Sequence, residues 1–358
     1  MGAAEFILSL IAGLSTIFAC VCSFHLIYMH LLNYNFPEYQ VYIVRILGMV
    51  PIYSVTSFLS LVDRDTNRSL ISDLFRDCYE SFVIYNFLVL LIHFGGGERS
   101  LVYYLETKPR MRHPWPLSEV LPPIRLGASF MHAVRASCLQ FVFVKPACVI
   151  LLLYSENDQF PILTYPRMAA LTDLIINVSV SVALYGLMLL YLATKEPIQP
   201  FRPLPKFLAV KAVIFFSFWQ GFGLTLAVQL GIISDIEGNY TAREQVAAIQ
   251  NFLVCLEMSI AAICHHFVFS YKDYMSPVLG TSQAVMITEE RGSLFKHFGE
   301  VVNFKDILRD AHNLYGATNS RNPFETELVD GTPVVTPVDA IIEGKNSSNF
   351  DAREAENF

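Results

Sequence analysis

The chain has 358 residues, of which 53% are hydrophobic and 16% are charged, and its net charge is −7. Soluble domains carry roughly 25% charged residues, so this composition favours a protein embedded in a membrane. The acidic balance comes largely from the C-terminal tail, and we expect no nucleic-acid partner because no basic surface is evident. The seven cysteines all lie in or beside apolar segments, which disfavours a disulfide framework.

A membrane-spanning helix needs about 20 mostly apolar residues, and the sequence contains seven such segments. The first lacks a basic leader and a clear cleavage site, so we expect it to be retained rather than removed as a signal peptide. The third carries Arg76, Asp77 and Glu80 near its start and then continues without charge to a glycine triplet. The predicted spans cover about 6–32, 41–62, 74–94, 130–154, 169–193, 207–233 and 246–270.

Lysine and arginine gather in the connections 95–129 and 194–206, whereas the alternate connections are poorer in them. Cytosolic loops carry the excess of these residues, so the N-terminus is predicted outside and the C-terminus in the cytosol. Two glycosylation acceptor sequences, at Asn67 and Asn239, fall in connections that this assignment places outside. We therefore predict that both asparagines are glycosylated. The proline-rich connection 95–129 is predicted to form a cap that lies against the bilayer.

The composition changes after the last predicted span. The segment 289–315 is amphipathic, and we expect a helix or helix pair that either docks on the bundle or the membrane, or binds a partner protein. The sequence therefore predicts an all-α polytopic membrane protein: a seven-helix transmembrane bundle over 1–275, an amphipathic cytosolic segment over 276–318 and a disordered acidic tail over 319–358. The residues predicted to contact a partner are Phe304, Ile307, Leu308 and Tyr315.

Ionisable groups at membrane depth are costly and usually face a cavity or one another. Lys145 and Glu257 lie nearest the predicted midplane. Four others lie near predicted helix ends, where they can reach the interface: Arg45, Glu80, Asp173 and Lys211. One interpretation is a polar cavity for an organic solute, in which Lys145 and Lys211 attract an anionic head group. The other is a set of buried ion pairs and hydrogen bonds that only hold the bundle together.

Signals for catalysis are weak. Cys264, His265 and His266 carry metal-binding atoms, but neighbouring residues on a helix diverge by about 100° and cannot converge on one zinc ion. The chain has no phosphate-binding loop, nucleophile elbow or hydrolase zinc signature. We therefore expect no metal, no cofactor and no enzymatic activity.

Several motifs, in order along the chain, carry a resemblance to a known family. They are RILGMVPIYSVTSFLSL (45–61), the stretch 76–87, FVKP (143–146), the stretch 179–191, PKFLAVKAVIFFSFWQ (205–220) and QNFLVCLEM (250–258). With these motifs the chain resembles the organic solute transporter alpha-subunit family, and within it the transmembrane protein 184 and Lazarus branch of fungi and plants. The polar residues that this resemblance makes candidates for solute binding are Glu80, Asn86, Lys145, Asn177, Lys211, Gln220, Asn251 and Glu257.

The resemblance implies seven spans with the N-terminus outside. For the animal members it implies facilitated movement of steroid-like and bile-acid-like anions beside a single-span beta subunit. The expected partners are therefore membrane lipids, an amphipathic organic solute, and a beta-like subunit or a second copy. The chain departs from the animal transporter in its cysteines, because only Cys20 and Cys22 lie close together in sequence.

Two functions remain open from the sequence. The first is a carrier for amphipathic solutes, driven by the gradient of the solute itself. The second is a scaffold at a vacuolar or other endomembrane, whose cytosolic helix recruits a trafficking or autophagy protein. The second follows from the resemblance to the transmembrane protein 184 and Lazarus branch.

Overall fold

The computed structural model describes residues 3–63, 66–156, 165–232, 242–275, 296–301, 303 and 305–316. Short 3₁₀ turns cover Leu117–Glu119, Gln199–Phe201 and Tyr271–Tyr274, and a further helical stretch covers 296–301. The main helices are α1 (Ala3–Leu32), α2 (Pro37–Leu47), α3 (Met49–Val62), α4 (Thr66–Phe94), α5 (Glu98–Glu106), α6 (Ala128–Glu156), α7 (Tyr165–Ile198), α8 (Pro203–Gln229), α9 (Ala242–Val268) and α10 (Lys305–Gly316). The described residues form no β-strand, so the prediction of a helical membrane protein is confirmed.

Six stretches of the described chain are long and apolar enough to cross a membrane, and each matches one predicted span. They are Glu5–Leu32, Pro37–Val62, Leu74–Phe94, Ala128–Leu152, Ala170–Phe201 and Gln245–Tyr274. The remaining predicted span, about 207–233, corresponds to α8, a helix of 27 residues. At 1.5 Å per residue α8 is roughly 40 Å long, which exceeds the hydrocarbon thickness of about 30 Å. The total of seven spans stays a prediction.

The second predicted span differs from expectation, because it is divided into α2 and α3 at Gly48. Pro51 lies in the first turn of α3, where it cannot donate a hydrogen bond to the carbonyl four residues earlier. The Tyr79 hydroxyl of α4 donates to the Arg45 carbonyl at 2.5 Å. A side chain from a neighbouring helix thus satisfies a backbone acceptor beside the break.

Helix α4 forms the centre of the bundle. Every residue from Val83 to Ile92 is buried, because α4 packs against α2 and α3 on one side and against α6 and α7 on the other. Helix α6 pairs closely with α7, and α9 packs against α1, α3 and α8. The bundle therefore has two wings, α6–α7 and α1–α3–α9–α8, joined through α4.

Helix α1 shows how the outer helices attach. Between Ala12 and Ser23 its buried residues are small, namely Ala12, Thr16, Ala19 and Ser23, while large apolar side chains such as Phe24 are exposed. Small residues let helix backbones approach closely in a membrane. Exposed apolar side chains suit a lipid-facing surface.

Contacts between distant segments establish which helix ends lie together. His30 near the end of α1 hydrogen-bonds the Phe269 carbonyl at 2.9 Å. Phe94 at the end of α4 stacks on Phe201, with ring centroids 4.5 Å apart. The connections 33–36, 95–127, 199–202 and 269–275 therefore lie at one end, which we call the basic end. The start of α1 and the helix ends next to the predicted glycosylation sites lie at the opposite end.

Candidate functional site

A charged cluster joins α4 to α6 at membrane depth. Asp77 and Glu80 are three residues apart, which places them on one face of α4. Lys145 of α6 faces both carboxylates: it donates a hydrogen bond to Glu80, and its Nζ lies 3.2 Å from Oδ1 of Asp77. Glu80 lies about four turns before the end of α4, roughly 20 Å from the basic end, and the cluster is inside the candidate spans Leu74–Phe94 and Ala128–Leu152. We call Asp77, Glu80 and Lys145 the charged cluster.

The two carboxylates of the charged cluster differ in exposure. The side chains of Lys145 and Glu80 are 8% and 11% exposed, whereas that of Asp77 is 27% exposed. The Lys145 ammonium also lies 5.7 Å from the centre of the Phe141 ring. Two carboxylates match one ammonium, so Lys145 offers no unmatched positive charge. The more accessible of its partners is Asp77.

Arg76, next to Asp77, connects α4 to the other wing. Its Nη1 lies 3.5 Å from Oγ of Ser57 on α3 and 3.4 Å from Oδ1 of Asn251 on α9. Asn251 is therefore close to the charged cluster, as a neighbour of Arg76 rather than of Lys145. This contact places polar groups from α3, α4, α6 and α9 in one region of the bundle.

A second polar pair joins α8 to α9. Gln220 donates a hydrogen bond to Oε1 of Glu257. Oε1 of Gln220 and Oε2 of Glu257 are both buried and have no hydrogen-bond partner in the described part of the chain. Buried acceptors without partners are costly, so a bound group that donates hydrogen bonds would stabilise this pair.

The other predicted site residues lie elsewhere. Asn177 is exposed on α7, where its Nδ2 donates to the Asp173 carbonyl at 2.8 Å. Asn86 accepts a hydrogen bond from Arg45 at 3.1 Å, nearer the basic end. Lys211 belongs to α8, but its side chain lies outside the described residues. Of the candidates whose side chains are described, Glu80 and Lys145 lie in the charged cluster with Asn251 nearby, Gln220 and Glu257 form a pair, and Asn86 and Asn177 lie apart from both.

Sequence reasoning missed the role of Arg45, which was expected near a helix end with access to the interface. The side chain is only 3% exposed, and all five of its N–H donors have partners. Nε donates to the Val301 carbonyl and Nη2 to that of Asn303, at 2.8 and 2.7 Å. Both Nη1 and Nη2 contact the Asp306 carboxylate, at 2.6 and 3.5 Å, and Nη1 also reaches Asn86. Arg45 therefore holds the segment after the bundle against α2.

The docking of α10 is reinforced by a second set of contacts. Asp310 accepts a hydrogen bond from the Tyr85 hydroxyl and lies 3.5 Å from Nη2 of Arg135. Arg135 in turn pairs with Glu98 of α5 at 2.7 Å. In its described part, the amphipathic segment therefore docks on the bundle.

The predicted partner-binding residues divide on this basis. Ile307 is 7% exposed and packs into the core, whereas Leu308 is 64% exposed. Phe304 and the side chain of Tyr315 lie outside the described residues.

The predicted glycosylation sites and metal binding are described only in part. Asn239 lies outside the described residues, while Asn67 lies in the first turn of α4, where only the backbone is described. Within the described chain, no group of three or more histidine, cysteine, aspartate or glutamate residues could hold a metal ion.

Comparison with known proteins agrees with the resemblance seen in the motifs. The family model described as organic solute transporter Ostalpha matches residues 8–274, a range that contains the charged cluster and the Gln220–Glu257 pair. No solved structure matches the chain. The match covers well over half of the sequence and extends through α1 to α9. The protein therefore belongs to the organic solute transporter Ostalpha family and is a multi-pass helical membrane protein.

Proposed function

We propose that the protein is a carrier that facilitates movement of amphipathic organic solutes, steroid-like or lipid-like anions, across a membrane. The observation that carries the proposal is the charged cluster, in which Lys145 faces Asp77 and Glu80 inside two candidate membrane spans. Ionisable groups in such spans are costly and commonly mark solute pathways. Membership of a solute-transporter family supports the same conclusion.

In the proposed mechanism an anionic head group exchanges with Asp77. Lys145 is matched by two carboxylates, so an anion gains a contact only if one carboxylate moves away. Asp77 is the more exposed of the two, and its withdrawal would leave Glu80 to hold Lys145 in place. The exchange avoids leaving the ammonium unpaired in a medium of low dielectric constant. Oε1 of Gln220 and Oε2 of Glu257, which have no hydrogen-bond partner in the described part of the chain, would accept hydrogen bonds from hydroxyl groups of the solute.

Flux of a labelled sulfated steroid into proteoliposomes tests the carrier. We expect Lys145→Ala to reduce flux more than tenfold. Asp77→Asn should lower KM for the anion, because the neutral amide competes less for Lys145. It should also lower the maximal rate, because the amide displaces the bound anion from Lys145 more slowly. Glu257→Gln should reduce flux of hydroxylated solutes. Arg125→Ala, which removes an exposed cation outside the spans, is the control. Wild-type flux equal to that of empty vesicles would refute the carrier.

We propose an orientation with the basic end in the cytosol and the N-terminus outside or in a lumen. The support is the concentration of lysine and arginine in connections that lie at one end of the bundle. The acceptor sequence at Asn67, at the start of α4 on the other end, agrees with it.

A scaffold at a vacuolar or other endomembrane is the second candidate. It is favoured by the outer face of docked α10, where Leu308 is exposed between Lys305 and Arg309, which are also exposed. A helix that presents an apolar residue among cations suits an acidic amphipathic partner. The test is co-purification of cytosolic trafficking or autophagy proteins with Leu308→Ser, beside Glu119→Gln, an exposed change outside α10, as the control. Retention of every partner and of organelle morphology in Leu308→Ser would count against the scaffold.

A further inference from the structure

The turn between α7 and α8 forms a cleft at the basic end of the bundle. Its volume is about 310 Å³, and its lining includes Tyr191, Lys195, Gln199, Arg202 and Leu204. None of these residues belongs to the charged cluster or to the Gln220–Glu257 pair. The cleft is therefore a separate feature at the membrane interface.

The backbone of the turn brings two cations to this cleft. Helix α7 departs from helical geometry at Thr194 and contains Pro197, and the 3₁₀ turn Gln199–Phe201 follows. Arg202 then adopts the left-handed conformation, with φ 50° and ψ 56°, which arginine rarely adopts. The result is that Lys195, before the turn, and Arg202, after it, line one cavity.

The two cations are unmatched, in contrast to their neighbours. Within the described part of the chain, neither the Lys195 nor the Arg202 side chain makes a hydrogen bond or an ion pair. The adjacent carboxylate, Glu196, is engaged by Lys108 at 2.7 Å. Lys206, one turn into α8, donates to the Phe201 carbonyl at 2.8 Å. The cleft therefore holds two positive charges without counter-ions.

Backbone donors are scarce at this site. Pro203 and Pro205 occupy the first turn of α8 and lack N–H groups. An anion in the cleft must therefore be held mainly by the Lys195 and Arg202 side chains. Substitution of these two residues is a direct test of binding.

An apolar surface continues from the cleft along the spanning helices. Leu192 on α7 and Leu204 and Leu208 on α8 are exposed large apolar residues. A ligand with an anionic head and hydrocarbon tails would place the head beside the cations and the tails on this surface. Basic clefts between helices at the cytosolic side are suited to anionic lipid head groups.

We propose that the α7–α8 cleft binds the phosphate-bearing head group of an anionic membrane lipid. The lipid comes from the leaflet at the basic end and is distinct from the solute that the carrier moves. Lys195 and Arg202 contact the phosphate, while Leu204 and Leu208 contact the chains.

The test uses the full-length protein in nanodiscs or detergent, with short-chain phosphatidic acid as the probe. Native mass spectrometry or fluorescence titration measures binding by the wild type and by the double variant Lys195→Gln, Arg202→Asn. Asparagine is chosen at Arg202 because it tolerates the left-handed conformation. We expect the double variant to bind about tenfold more weakly or worse, from the loss of two charge contacts near the surface.

The control is the double variant Arg110→Gln, Arg125→Gln, which removes two exposed cations from the connection 95–127 at the same end. This control should leave binding unchanged. Arg202→Lys, which retains the charge, should keep most of the affinity, and it remains informative even if the variant Lys195→Gln, Arg202→Asn folds poorly. Equal weakening by the control pair would overturn the proposal. So would competition by inorganic phosphate at the same concentration as the lipid, which would identify a soluble anion as the ligand. The carrier is tested separately, by the expected dependence of solute flux on Lys145 in phosphatidylcholine vesicles. Failure of the carrier and failure of the lipid site are therefore distinguishable.

Discussion

Arg45 and Asp306 are 261 residues apart in sequence, yet their side chains form an ion pair in which Nη1 lies 2.6 Å from Oδ2. Through this pair the chain after the bundle returns to α2. Arg45 immediately precedes the break at Gly48, and Tyr79, which bonds the Arg45 carbonyl, lies between Asp77 and Glu80 on α4. These contacts lead from docked α10 to the segment of α4 that carries Asp77 and Glu80.

The first prediction concerns the docking of α10. Asp306→Asn should release the helix, because the buried Arg45 guanidinium loses the carboxylate that pairs it with α10. Hydrogen–deuterium exchange of peptides covering 305–316 should increase markedly in Asp306→Asn. Arg309→Gln, an exposed change on the same helix, should leave exchange unaltered. Equal exchange in Asp306→Asn and the wild type would mean that Arg45 does not hold the helix.

The second prediction concerns the stability of the charged cluster. Lys145→Met leaves two carboxylates without their cation at membrane depth, and breaking such a buried pair costs about 3–5 kcal/mol. The triple variant with Asp77→Asn and Glu80→Gln should recover most of this loss, because no buried charge then remains unmatched. Unfolding in mixed micelles measures both. Lys272→Met, at an exposed lysine outside the proposed sites, is the control. A triple variant no more stable than Lys145→Met would contradict the pairing.

The third prediction concerns orientation. If the N-terminal end faces a lumen or the outside, the protein expressed in eukaryotic cells should shift in gel mobility on treatment with peptide N-glycosidase. Asn67→Gln and Asn239→Gln should each remove part of the shift, and together all of it. Asn346→Gln, in the tail predicted to be cytosolic, should change nothing. A shift that depends on Asn346 alone would reverse the orientation.

The helices could be predicted from the sequence because each long apolar run carries its own signal. The division at Gly48 could not, because it depends on the Tyr79 hydroxyl from another helix as well as on Pro51. Lys145 and Glu80 were both candidates, but their pairing follows from the packing of α4 on α6. Spacing identified Asp173 and Asn177 as residues on one face of α7, but spacing does not indicate where a face points, and this face is exposed.

Arg45 illustrates a different limit. Its position near a predicted helix end is compatible with access to the interface. Its actual partners, Val301, Asn303 and Asp306, come from a segment more than 250 residues later. The position of a charged residue along its predicted span therefore does not indicate its partners when a segment distant in sequence packs over that residue.

The fourth prediction concerns pH. Glu196 accepts hydrogen bonds from Lys108 and Tyr104, both at 2.7 Å. The hydrogen bond from Lys108 lowers the pKa of Glu196 below its usual value of 4.5, and that to Glu196 raises the pKa of Lys108 above 10.5. The contribution of this pair is therefore complete between about pH 5 and pH 10. It is lost as pH falls through the lowered pKa of Glu196 or rises through the raised pKa of Lys108.

Both groups of this pair are exposed to water, so their effect on stability is small and screened by salt. The measurement is apparent Tm of the wild type and Glu196→Gln from acidic to neutral pH. The two should differ slightly at neutral pH and converge as Glu196 is protonated. Glu119→Gln, at an exposed carboxylate of the same end, is the control. A difference that grows on acidification would contradict the assignment.

The last prediction concerns the break between α2 and α3. A Cβ atom added at Gly48 would lie 2.3 Å from the Tyr79 hydroxyl and 3.2 Å from its ring carbon Cζ. Gly48→Ala should therefore destabilise the bundle by about 1–3 kcal/mol, as overpacking does elsewhere. Tyr79→Phe removes the clashing oxygen but also leaves the Arg45 carbonyl without this donor, so it should be destabilising alone. In combination the two changes should cost less than the sum of their separate effects, which a double-mutant cycle of unfolding free energies measures. Strict additivity would mean that Tyr79 does not occupy the space beside Gly48.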